Sequence, residues 1–293
     1  MTQPTHLFPD VWTLAAHVAT SRDAAGAWTV YPGLNNSALR PQRPWAGRSL
    51  EHMLEQCHHL NAPELLERTQ EVSALTDDLI ATLPQGQIPR RTGQWDRHGS
   101  RLSMDRILQG SHTPWRRFVR RAIPGGAPLY LIALCTSYSG FTEHQTIIWT
   151  MIASLALADA LIKQGARVEL WDCTMNPDTY QSGNVCTLTL TRLYRSSEAW
   201  NLQDVVLASD PAWFRRLHFR LWEMGQTATR HLHEGYGRVA TPWQMEARLT
   251  GWARDVHPQA RLLMGAHVDA AINNARKARR WIEAQLAQLS EAA

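Results

Sequence analysis

From residue 127 onward the hydrophobic pattern is regular enough to draw a fold from. "APLYLIALC" (127–135) is a nearly continuous apolar run, as expected of an inner strand buried on both faces. Thr142 and Gln145 form a T-x-x-Q capping box, and Ile148, Met151, Ile152, Leu155, Ala158 and Ile162 then recur at helical spacing. Gly165 is a natural left-handed stop, and "ARVELWDC" (166–173) reads as a second strand. Strand, helix and strand at these lengths make a right-handed βαβ unit with parallel strands. "CTLTLTRL" (186–193) alternates strictly, with Thr187, Thr189 and Thr191 on one face, and predicts a half-exposed strand at or near a sheet edge. "NLQDVVLAS" predicts a short helix. Asp210 and Pro211 open another through "AWFRRLHFRLWEM", closed by Gly225. "HLHEGYGRVATPW" is loop-like, "RLLMGAH" is a last strand, and "DAAINNARKARRWIEAQLAQL" is a final amphipathic helix with Ile272, Ala275, Ile282, Leu286 and Leu289 inward.

The first part of the chain reads differently. "YPGLNNSALRPQRPWAGRS" is turn-rich. Ser49 caps a helix through "LEHMLEQCHHL", and Asn61 to Pro63 start a second that ends before Pro84. Residues 85–111 are loop-like apart from a short helix at "SMDRILQG", and Pro124-Gly125-Gly126 marks a boundary. The expected division is a helical and irregular N-terminal extension over residues 1–125 and an α/β domain over 126–293. The fold class is a three-layer α/β domain with a mostly parallel, Rossmann-like sheet.

Composition narrows the classes. The 293 residues suffice for a large core, and the apolar and charged shares, 44% and 19%, are those of a soluble globular chain. "MTQPTHLFPD" lacks a secretory pattern, and the apolar run from Ile147 to Ile162 is interrupted by Thr150, Ser154 and Asp159, so no membrane span is expected. Of the four cysteines (Cys57, Cys135, Cys173, Cys186) none forms C-x-x-C, and reduced thiols in a cytoplasmic, host-cell setting are expected. No G-x-G-x-x-G or P-loop follows a strand, which disfavours a nucleotide cofactor.

The candidate chemistry gathers at strand ends. Ligands of an open parallel sheet bind at the carboxyl ends of its strands. Cys135, Ser137 and Ser139 end the first strand, Asp172 the second, and His267 follows the last. Cys135 before a helix N-terminus, with His144 as a base, is one enzymatic alternative. It lacks the arginine of a phosphatase cradle (Phe141 stands there) and the glycines of a nucleophile elbow. His231, His233 and Glu234 are a weak metal-ligand set, and Cys57-His58-His59 point apart on a helix.

An apolar strand, then "CTSYSG", a long helix and a "GARVEL" strand resembles a von Willebrand factor A (vWA) domain. With "SMDRILQG" and "LASDPAWFRRLHFRLWE", roughly residues 100–290 are similar to uncharacterised phage and prophage proteins bearing a degenerate vWA-like domain. The vWA motif D-x-S-x-S holds a divalent cation that bridges to a partner's carboxylate. Here Cys135 replaces the acid, while Ser137 and Ser139 match. A thiol is a poor ligand for Mg²⁺, so this departure from the motif disfavours the usual cation, although Asp172 or Asp269 could compensate for the acid. No cofactor is expected, with Mg²⁺ the alternative.

Tryptophan beside arginine recurs in "QWDRHGSR", "PWRRF", "AWFRR" and "RRW". Residues 90–121 hold nine arginines against Asp96 and Asp105, a formal charge of +7 by subtraction. Trp115, Arg116, Arg117, Arg120 and Arg121 are the candidate surface for a partner protein or, as an alternative, for a nucleic acid. The function expected from all of this is a non-enzymatic binding or scaffold protein. A nucleic-acid-binding protein and a cysteine- or metal-dependent enzyme are the alternatives.

Overall fold

The computed structural model describes residues 5–30, 36–40, 46–59, 62–83, 93–96, 101–102, 115–118, 128–176, 187–195, 202–224, 240 and 242–291. The strands are β1 (Thr5–Phe8), β2 (Gly93–Asp96), β3 (Arg101–Leu102), β4 (Trp115–Phe118), β5 (Leu129–Cys135), β6 (Arg167–Asn176), β7 (Thr187–Arg195) and β8 (Arg261–Met264). The α-helices are α1 (Val11–Ala19), α2 (Leu50–His58), α3 (Pro63–Thr82), α4 (His144–Lys163), α5 (Leu202–Ala208), α6 (Phe219–Met224), α7 (Pro242–Val256) and α8 (Ala275–Glu291). A π-turn over Trp213–His218 runs directly into α6.

The principal sheet has the order β1-β7-β6-β5-β8. β5 pairs in parallel with both β6 and β8, β1 pairs in parallel with β7, and β6–β7 is antiparallel. The protein is therefore α/β with a mixed, mostly parallel sheet. β5 is the inner strand its apolar run predicts, and α4 crosses from it to β6. Alternate residues of β5 serve the two faces. Ile132 and Leu134 join the large core formed with α4, whose Ile152, Leu155 and Ala156 are fully buried. Leu131, Ala133 and Cys135 join a smaller core with Met245, Leu249 and Ala253 of α7.

By length and composition α4 is apolar enough to cross a bilayer, contrary to the sequence expectation, and 72% of that window is buried inside the protein. The same apolarity serves a core helix enclosed by the sheet and by α3 and α8.

Several expectations need correction. α4 begins at His144 behind Glu143, with no side-chain cap, so the Thr142–Gln145 box does not form. β7 does lie near a sheet edge, next to the edge strand β1, but it is not half-exposed: Thr189 and Thr191 are fully buried. The N-terminal residues add β1 to the principal sheet and α1 to its core, which the pattern of residues 1–125 did not announce. Residues 93–96, 101–102 and 115–118 form a separate antiparallel sheet, β2-β4-β3, where loop was expected around 93–102. α7 forms where the pattern predicts loop up to Trp243 and no element beyond it. α8 starts only after Asn274, whose Oδ1 accepts from Lys277 N at 3.1 Å, and it buries Ala278 and Ile282 while Ala275 is exposed. The expected helix at 103–110, the Pro124–Gly126 boundary, Cys186, and the His231, His233 and Glu234 set lie outside the described residues.

Candidate functional site

The sheet separates the five candidate residues. Cys135 ends β5 facing the smaller core, and burial pushes its thiol up to about 12. That opposes the thiolate a nucleophile requires. Ser137 is fully buried, Ser139 is exposed, and Phe141 N donates to Ser139 Oγ at 3.3 Å. His267 lies at the end of β8. Its Nδ1 accepts from Asp269 N at 3.2 Å, and burial draws its pKa below 6.5 despite the nearby Asp269 carboxylate. Gly265 N donates to Ala133 O at 2.8 Å and Ala266 N to Ser154 Oγ at 2.9 Å, which fixes this end of β8 against β5 and α4.

Asp172 does not line an open crevice. It sits on the face opposite Cys135, fully buried, and three groups converge on its carboxyl. Thr136 Oγ1 donates to Oδ1, Trp213 Nε1 donates to Oδ2 at 2.9 Å, and His218 Nε2 lies 3.0 Å from Oδ2. The last contact is close but its N–H is not aligned on the oxygen, so it falls short of a full hydrogen bond. His218 Nδ1 is 2.8 Å from Thr174 Oγ1, and the Trp213 ring meets the His218 ring edge-on at 5.3 Å. Trp222 Nε1 reaches Thr189 Oγ1 at 3.3 Å. The threonine face read as half-exposed is thus the floor of a buried polar network. Its residues were scattered through the sequence reading, and the signal that joins them is the five-residue spacing of Trp213 and His218.

The loop that follows is tied at its base and free at its tip. Arg215 donates to Tyr138 O while lying over the Phe214 and Phe219 rings, and its own burial lowers it to about 10. Phe141, three residues on, is 99% exposed. α7 brings a second aromatic to the same end. His257 lies 3.8 Å from Glu169 near the start of β6, and Trp252 meets Trp171 further along it at 5.1 Å. α7 therefore runs antiparallel to β6, and its first turn carries Trp243, 75% exposed, towards the carboxyl ends of the strands.

Among the described residues, no group of three or more His, Cys, Asp or Glu comes together to hold a metal ion. Of the Arg/Trp surface, Trp115, Arg116 and Arg117 lie on β4, the middle strand of the small sheet. Arg120 and Arg121 are outside the described residues.

Fold and site together define an α/β protein whose loop after β5 is anchored by a buried polar network and tipped with an exposed phenylalanine. The chain belongs to the DUF7192 family, a domain of unknown function whose model matches residues 8–261. That match runs across the 125/126 division drawn from the sequence. No curated protein and no solved structure matches the chain.

Proposed function

We propose that this chain is a non-enzymatic binding or scaffold protein, built on a degenerate vWA-like domain, that docks a partner protein at the carboxyl end of its sheet. The observation that carries the reading is Phe141. A large apolar ring stands wholly in water on a loop whose base is tied down by Thr136 and Tyr138. Large exposed apolar groups on a fixed scaffold mark interaction sites, and a pre-ordered loop loses little entropy on binding. Trp243 is a second exposed aromatic at the same end of the sheet.

No cation bridge is part of the proposal. The acid position of the vWA motif is a buried thiol facing apolar side chains, and Asp172 points to the other face, already engaged by two donors, Thr136 and Trp213, with His218 close beside it. A hard cation needs carboxylate oxygen that this loop does not offer. The phage or mobile-element origin rests on the sequence resemblance. An intracellular setting accords with Cys57, Cys135 and Cys173 as free buried thiols, Cys135 and Cys173 remaining so although they are partners across β5 and β6. Chemical cross-linking of the purified chain to partner candidates tests the reading. Phe141→Asp should abolish the adduct without moving Tm, and an adduct that survives the charge removes this face from consideration.

One observation favours the nucleic-acid alternative. In the small sheet the strand register makes Arg116 and Arg101 direct backbone partners, and like charges at partnered positions are disfavoured unless an anion such as a nucleic-acid backbone neutralises them. Binding to random oligonucleotides that weakens steeply with salt, and that Arg116→Glu removes, would support it.

A further inference from the structure

The π-turn grips two distant parts of the chain at once. Towards the sheet end, Trp213 and His218 converge on Asp172, and Arg215 holds Tyr138 O. Towards the N-terminal segment, Arg216 donates to the carbonyls of Arg40 at 2.7 Å, Arg48 at 3.1 Å and Ala38 at 3.2 Å. α6 continues that side. Arg220 donates to Thr29 O at 2.7 Å and Ser21 Oγ at 3.0 Å, and Glu223 accepts from Ser37 N. The approach is tight enough to involve backbone: at Gly47, with φ +69°, a Cβ would lie 2.8 Å from Ala212 N.

The double grip depends on the helical register. In a π-turn, positions five apart stack along the axis, because the hydrogen bonds run i to i+5. In an α-helix of 3.6 residues per turn the same two positions stand about 140° apart. Trp213 and His218 can both meet Asp172 only in the π register. Loss of that shared acceptor removes the contact that favours the π form, and a return to α rotates Arg215 and Arg216 away from their carbonyls. π-turns inside helices recur at functional positions, and this one has a defined alternative.

We propose that the Trp213–His218 π-turn is a two-state coupling element linking the N-terminal residues 37–40 and 46–48 to the strand-end loop at 136–141. Ordering either one favours the π register and so orders the other. The coupling is a property of the free chain and needs no partner to be seen. If the loop docks a protein, a ligand of the N-terminal segment would tune that docking, and the reverse.

Hydrogen exchange of the full chain, read by mass spectrometry, tests this. Arg216→Gln touches only the N-terminal grip. It should speed exchange of amides in 136–143 by about tenfold, within the usual span of coupling between sites. Thr136→Val touches only the Asp172 side and should speed exchange at 37–40 and 46–49 by a similar factor. Ile282→Val on α8 is the control, destabilising the core without touching the turn. The proposal fails if each variant affects only its own side, or if the distant effect is no larger than that of Ile282→Val. Should Arg216→Gln not fold, the conservative Thr136→Val decides alone: unchanged exchange at 37–40 and 46–49 overturns the coupling.

Discussion

Replacing Asp172 by alanine removes one carboxyl and strands three groups at once. Thr136 Oγ1 and Trp213 Nε1 lose their acceptor, and His218 Nε2 loses its nearest oxygen, all at fully buried positions. A buried donor left without a partner costs about 1–3 kcal/mol. The three share one site and do not add independently, so the expected loss is about 3–5 kcal/mol, the range seen when one member of a buried charged cluster is deleted. Against a total stability of about 5–15 kcal/mol, this is a large fraction. Asp172→Asn keeps one acceptor oxygen and should cost about half as much, on the same scale. Asp269→Ala, at a side chain 72% exposed, should change stability by less than about 0.5 kcal/mol. Urea titration followed by tryptophan fluorescence measures all three, with an unchanged m-value expected for each. An Asp172→Ala midpoint equal to that of Asp269→Ala would refute the claim that the network bears on stability.

The remaining predictions follow from single groups. Cys135, raised to about 12 and buried, should resist iodoacetamide at pH 7 in the native chain and react promptly in urea. His6 is held below 6.5 by burial and by His17 and His218, and His267 is held below 6.5 by burial. Both bases take up protons more readily when unfolded, so their stability contribution is present above about pH 6.5 and falls as pH drops through their folded values. The double variant His6→Asn, His267→Gln should flatten that acid limb in thermal melts at pH 5 to 7. Gly47→Ala meets both a left-handed backbone and Ala212, and should cost about 1–3 kcal/mol by urea titration.

The elements legible in the sequence are those with long apolar stretches between clear turn signals. β5 is buried on both faces and reads as an unbroken apolar run. α4 carries its apolar positions at helical spacing. What escaped was set by tertiary contact. β1 is four residues, "THLF", too short to show a period, and it exists because β7 offers an edge. α7 contains Gly251 and a mixed surface, so its buried Met245, Leu249 and Ala253 stand out only once β5 and β6 are in place. β7 showed a true alternation with a misleading sense. Its threonines face inward, where Trp222 Nε1 donates to Thr189 Oγ1, and a buried hydroxyl is tolerated where it is hydrogen-bonded; Thr191 Oγ1 is buried there without a hydrogen bond. The candidate loop was found, since hydroxyl-rich residues after an inner strand announce a strand end. Which side chains face out of it was not, because β5 and β6 each alternate and the loop turns beyond them. Cys135 and Asp172 therefore diverge while Phe141, weighed only as a missing arginine, reaches solvent.

The most direct test of a docking face at the carboxyl end of the sheet is site-specific photo-cross-linking. A benzophenone amino acid is placed at position 141, at position 243, and at Val30, an exposed apolar position outside these loops, and the full chain is irradiated in extract of its source cells. The account predicts the same protein adduct from 141 and 243, competed by the unmodified chain and lost with Phe141→Asp, and no such adduct from position 30. Equal labelling from all three positions, or adducts to nucleic acid alone, would contradict it.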